Sequence, residues 1–248
     1  YADTSPAADG LGINPQNQKT WAGYLVTHFE HGKLDGNVGV RVVETENVGE
    51  GRLTFSSPDW GPGAPPDEVA FANGGSTVTA DDNSYTDVLP SLNLRYKVRD
   101  DFFLRFAAAK SLSRPNFPQL LPAITVTADM GVMINGVCTE LGDGASQLGN
   151  CVLGYDGFAG NPDLEPMRSW QYDVTAEWYM SPTNSLTAAI FYKDLEGFME
   201  TRLNESVEYT NNGQTRNVRV LRPENQGEGY VQGVEIAYNG FFDFLPGF

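Results

Sequence analysis

Trp170-Gln171-Tyr172-Asp173-Val174-Thr175-Ala176-Glu177-Trp178 is the stretch that decides the fold. Trp170, Tyr172, Val174, Ala176 and Trp178 alternate with Gln171, Asp173, Thr175 and Glu177. Successive side chains of a strand point to opposite faces, so this segment has one greasy and one wet side, with an indole at each end of the greasy strip. The pattern spreads outward as hairpins. Residues 168–180 turn through Ser181-Pro182-Thr183-Asn184 into residues 185–198. Pro90, Leu92, Leu94, Tyr96 and Val98 alternate with Ser91, Asn93, Arg95 and Lys97; after Arg99-Asp100-Asp101 the chain returns through Phe102, Leu104, Phe106 and Ala108. Residues 21–30 and 37–45 flank a third short turn, and residues 230–238 form a seventh strand before a further turn expected at 241–247.

Between these units lie roughly 40, 55 and 30 residues rich in Gly, Pro, Asn and Asp, against the ~2–6 residues that ordinarily join elements in a compact domain. Long connections at one end, tight turns at the other and aromatic residues at strand ends describe an antiparallel transmembrane β-barrel. Composition agrees. With 40% hydrophobic and 12% aromatic residues the chain is ordered. Its mean hydropathy of −0.33 suits strands that are apolar on one side only. No apolar stretch approaches the ~18–20 residues of a membrane-spanning helix. The excess of 32 Asp+Glu over 16 Lys+Arg, net −16, argues against nucleic acid, which requires a basic face. Seven strands with unpartnered edges would leave N–H and C=O groups unmatched in hydrocarbon, so this length of chain is expected to form an open, curved sheet that cannot close alone. Two rivals share the periodicity: a passive porin, and a soluble carbohydrate-binding β-sandwich in which Trp170, Tyr172, Val174 and Trp178 face a second sheet.

Several ordered segments carry a family likeness. Gly160-Asn161-Pro162-Asp163-Leu164-Glu165-Pro166 followed by Arg168-Ser169-Trp170-Gln171-Tyr172-Asp173 resembles the strand-entry motif of TonB-dependent outer-membrane receptors. Ser113-Arg114-Pro115-Asn116-Phe117 is similar to the family's Ala/Ser-Arg-Pro stretch, and residues 186–198, with Phe191-Tyr192-Lys193, to its Phe-Tyr-Lys strand. Pro223-Glu224-Asn225-Gln226-Gly227-Glu228-Gly229 leading into Val231-Gln232-Gly233-Val234-Glu235, Gly36-Asn37-Val38-Gly39-Val40-Arg41 and the closing Phe244-Leu245-Pro246-Gly247 also fit, covering the chain from about residue 20 to its end. The resemblance implies about seven strands of a 22-stranded barrel in a bacterial outer membrane, with long extracellular loops and short periplasmic turns. Residues 1–248 are then a partial barrel, with the plug domain and the final strands lying outside them. The implied partners are lipid and lipopolysaccharide, the receptor's own plug, the TonB complex acting through that plug, and a scarce nutrient, either an oligosaccharide or a ferric siderophore.

Arg95, Arg105, Asp173, Glu177 and Glu235 fall on wet faces and are expected to line the lumen and hold the plug through charge-assisted hydrogen bonds; the plainer reading is the polar interior of any water-filled barrel. Trp60, Tyr155, Asp156 and Phe158, in a loop set that also holds Asp59, Asp67 and Asp163, are the expected ligand contacts, since stacking and hydrogen bonds select polar ligands; the alternative is loops that touch only lipopolysaccharide and water. Cys138 and Cys151 share one long external loop, where oxidation is allowed, and are expected to form a disulfide, with two free thiols as the alternative. A dozen intervening residues make that bridge worth about 3 kcal/mol of loop entropy. His28 and His31 belong to no catalytic or metal-binding spacing, and no Asp-x-Asp-x-Asp-Gly loop is present. Neither an enzyme, a cofactor nor a metal is expected.

Overall fold

The computed structural model describes residues 14–141 and 149–240. These described residues form ten strands, β1 (Gln16–His31), β2 (Leu34–Phe55), β3 (Ser76–Arg99), β4 (Phe102–Ser113), β5 (Ile124–Ile134), β6 (Val137–Glu140), β7 (Cys151–Ala159), β8 (Met167–Ser181), β9 (Asn184–Asn211) and β10 (Gln214–Asn239), a short α-helix, α1 (Pro66–Phe71), and a 3-10 turn at Phe117–Leu120. Seven long strands are antiparallel neighbours in the order β1-β2-β3-β4-β8-β9-β10, each containing one of the segments read from the period-two pattern. Register makes the two faces explicit. Leu94, Phe106, Val174, Ile190 and Val234 form one cross-strand row, and Asp35, Arg95, Arg105, Thr175, Ala189 and Glu235 form the row beside it on the other face. Val234 is 66% exposed although apolar, as suits the lipid-facing side of an outer-membrane barrel.

The three long connections carry strands of their own. β2 and β3 stay paired out to Thr54 and Ser76, leaving only residues 56–75 as a loop. β9 and β10 stay paired out to Asn211 and Gln214, where Asn212 and Gly213 take the left-handed conformation that a two-residue hairpin turn requires. The middle connection, residues 114–166, contains β5, β6 and β7. Alternation continues in these extensions, but lipid no longer covers one side, so no unbroken greasy strip marks them.

The expectation that the sheet stays open is corrected at its outer end. β5 pairs parallel with β2 over residues 124–126 and 53–55, and β7 pairs parallel with β10 over residues 156–158 and 219–221. Because β5 and β7 also pair with each other, β2-β3-β4-β8-β9-β10-β7-β5 is a closed ring of eight. The inserted hairpin supplies the missing edge partners through two contacts of three residues each. Inside the ring Phe55, Phe71, Ala72, Ile124, Val126, Tyr155, Val218 and Val220 form the core, with Phe71 set edge-on against Phe55 at 5.2 Å and Tyr155 at 4.6 Å between ring centres. The turn expected at residues 241–247, and the Phe244–Gly247 part of the resemblance, lie outside the described residues.

Candidate functional site

Alternation places Arg95, Arg105, Asp173, Glu177 and Glu235 on the face opposite the apolar rows. Arg95 Nε donates to Asp35 Oδ2 at 2.9 Å, and Arg105 grips Glu177 through two bonds of 2.7 and 3.2 Å. Asn93 donates to Asn37 at 3.0 Å. Arg95, Arg105 and Asp173, with Asp35 and Asn37, line a groove of about 240 Å³. Sequence reasoning passed over Asp35; counting register back from the Arg99 turn and forward from Gly32 sets it opposite Arg95. Both arginines are nearly half-exposed, so the pairs contribute little to stability and their consequence is a wet wall with charges held in place.

Above this wall two segments, 114–123 and 160–166, run against the inner faces of β2 and β3. Arg114 donates to Thr45 at 3.1 Å, Asn83 to the carbonyls of Pro162 and Leu164 at 3.1 and 3.3 Å, and Thr79 to that of Pro122. Arg168 binds buried Asp87 at 2.6 Å and Glu165 at 2.8 Å. Asn161 Oδ1 accepts the Asp163 amide at 3.1 Å while its Nδ2 donates to the Pro223 carbonyl at 2.9 Å. Asn225 Oδ1 accepts the Glu165 amide at 2.8 Å, and its Nδ2 donates to the carbonyls of Glu165 at 2.8 Å and Gly197 at 3.0 Å. The two motifs are thus halves of one lock, and asparagine is needed because each side chain must donate and accept at once. Next to it Glu224 accepts from Asn204 at 2.9 Å and Arg222 at 3.1 Å, which holds its carboxyl below the usual range.

The outer end separates the four expected ligand contacts. Tyr155 is only 4% exposed, so its ring faces the core and not a ligand; its hydroxyl donates to Glu68 at 2.6 Å, and burial followed by that bond pushes the phenol's pKa up. Trp60, partly buried, packs against the same cluster from loop 56–75, whose Phe71 enters the core. Asp156 and Phe158 occupy the opposite face of β7, where Asp156 binds Arg219 at 2.8 Å and Phe158 is 68% exposed. Asp67, with Glu68, clamps α1 through Arg216, at 2.7 and 3.1 Å, helped by Asn211 and Asn212 bonding the Phe71 and Ala70 carbonyls at 2.6 and 3.0 Å. Cys138 and Cys151 are joined in a disulfide across 13 positions of sequence, tying β6 to the start of β7. Among the described residues no three His, Cys, Asp or Glu side chains converge as a metal site.

The whole chain, residues 1–248, matches the family described as TonB dependent receptor-like, beta-barrel. Similar solved structures include a siderophore receptor, PirA, of Acinetobacter baumannii (18% identity, 93% of this chain and 35% of that one, TM-score 0.50). The hemophore receptor HasR of Serratia marcescens, solved with its hemophore HasA and heme, is similar at 14% identity (90% and 32%, TM-score 0.53), and the G324V mutant of the ferric enterobactin receptor PfeA of Pseudomonas aeruginosa at 16% (91% and 33%, TM-score 0.51). The chain therefore spans about one third of the length of these structures. No curated protein matches in sequence.

Proposed function

Because the chain belongs to the TonB-dependent receptor β-barrel family, whose place is the outer membrane, we propose that it forms part of the wall of a receptor that captures a scarce nutrient at its outer end and imports it past a TonB-driven plug. The observation that carries this reading is one sheet with a greasy face and a charged face kept in register across β2-β3-β4-β8-β9-β10. In this reading Arg95, Arg105, Asp173, Glu177 and Glu235 face the plug. Charges already aimed and paired on a wet wall exchange partners with a moving domain at small cost, since each pair is worth little alone. Lipid covers the Val174 row, and the nutrient, an oligosaccharide or a ferric siderophore, meets the outer end.

Deleting the full-length gene and measuring growth on single limiting glycans and ferric chelates tests this. Loss of growth on one nutrient, restored by the wild-type gene only in cells with an active TonB, is the expected result. Uptake that persists without TonB would instead make the protein a passive porin.

A further inference from the structure

Phe158 stacks on no other ring among the described residues and stands well clear of the apolar band. Its neighbour across the β7–β10 pairing, Leu221, lies nine residues beyond Tyr230 on β10, about 30 Å at ~3.3 Å per residue. Lipid does not cover a ring there. Phe158 itself lines a groove of about 440 Å³ whose wall is mostly apolar, with Leu121, Ile124, Leu221 and Pro223, and which three neutral polar side chains, Gln119, Thr125 and Thr201, also reach. The guanidinium on this face, Arg219, is already held by Asp156 at 2.8 Å and Asp129 at 3.6 Å.

We propose that Phe158 and this groove form a subsite for a neutral sugar chain. The inference rests on the receptor reading above and narrows its ligand. A pyranose offers an apolar C–H face to a ring and hydroxyls to amide and hydroxyl groups, which Phe158 and the side chains of Gln119, Thr125 and Thr201 supply around one groove. A polyanionic ferric chelate needs guanidinium groups free to pair with it. Here Arg219 is spent, and the chain as a whole carries a net charge of −16, which opposes the approach of an anion.

The test is equilibrium binding by the full-length receptor in detergent, using linear neutral glucans, xylans and galactans and, separately, a ferric tris-catecholate. At least one glycan binds the wild type, Phe158→Ala weakens it about 10-fold or more, Phe158→Trp keeps it, and the chelate does not bind. An intact Cys138–Cys151 bridge and unchanged thermal unfolding show that the alanine variant remains folded. Glycan binding indifferent to Phe158→Ala, or chelate binding in its place, overturns the subsite and leaves the receptor reading standing; a wild type that binds and imports no solute overturns both. A Phe158→Cys receptor that resists an aqueous maleimide shows this face covered by protein and also overturns the subsite.

Discussion

Between the membrane and the outer end the sheet turns inside out. β2 shows the change within one strand and without a bulge. Near the short turn its outward positions are Val38, Val40 and Val42 and its inward ones Asp35, Asn37 and Arg41; farther out the outward positions are Glu44, Glu46, Val48 and Glu50, and the inward side carries Val43, Thr45 and finally Phe55 of the core. β9 and β10 make the same passage with register shifts between Asn225 and Glu228, where Gly197 has a positive φ. The backbone alternates identically in both regions. What differs is the medium: hydrocarbon outside and water inside the membrane sheet, water outside and a dry core inside the ring. The hydrophobic face of a strand is therefore set by which side lacks water.

Charge placed on the greasy side of either region should break that region alone. The largest effect is expected from Val126→Asp, which buries an unpaired carboxylate among Phe55, Tyr155 and Val220 at a cost of several kcal/mol. Hydrogen exchange should show residues 51–75 and 124–134 losing protection while β8 keeps its own. Val174→Arg should do the reverse, costing about 2–4 kcal/mol in equilibrium folding into bilayers with the outer core intact. The lock between the regions comes next. Asn225→Ala removes three hydrogen bonds and should cost about 1–3 kcal/mol, read as faster exchange at the Glu165 amide with little change at Val174 or Val126.

Titration sharpens the contrast at a smaller scale. The folded-state pKa of Tyr155 lies above its ordinary value, so the stability it confers is full below about pH 10 and is lost as pH rises toward the folded value. Tyr155→Phe should cost about 0.5–1.5 kcal/mol at neutral pH, through the lost bond to Glu68, and should flatten the alkaline limb of an outer-core unfolding curve. Glu224 runs the other way: its depressed pKa gives stability that is present above the ordinary carboxylate value and lost as pH falls through the lower folded one.

The membrane strands were legible because lipid selects an uninterrupted greasy face, and parity alone then put Arg95, Arg105, Asp173, Glu177 and Glu235 together. The ring was not, because its closure rests on three-residue parallel contacts between segments far apart in the chain, and such contacts leave no local mark. Tyr155 and Phe158 show what a loop reading loses. They differ by an odd number of positions, so recognising residues 151–159 as a strand places them on opposite faces at once, one in the core and one exposed. The Asn212-Gly213 pair was a hairpin signal in plain view, hidden by Asn- and Glu-rich flanks that read as irregular. The position of Trp60 depends on how loop 56–75 folds into the ring, which no periodicity encodes.

Tryptophan quenching by brominated lipid distinguishes the two regions most directly. In single-tryptophan versions of the full-length receptor reconstituted in such lipid, Trp170 and Trp178, at the two ends of the lipid-facing strip of β8, should be strongly quenched and Trp60 unaffected. Quenching of Trp60, or indifference of Trp170 and Trp178, would contradict a sheet that shows its greasy face to lipid in one half and to its own core in the other.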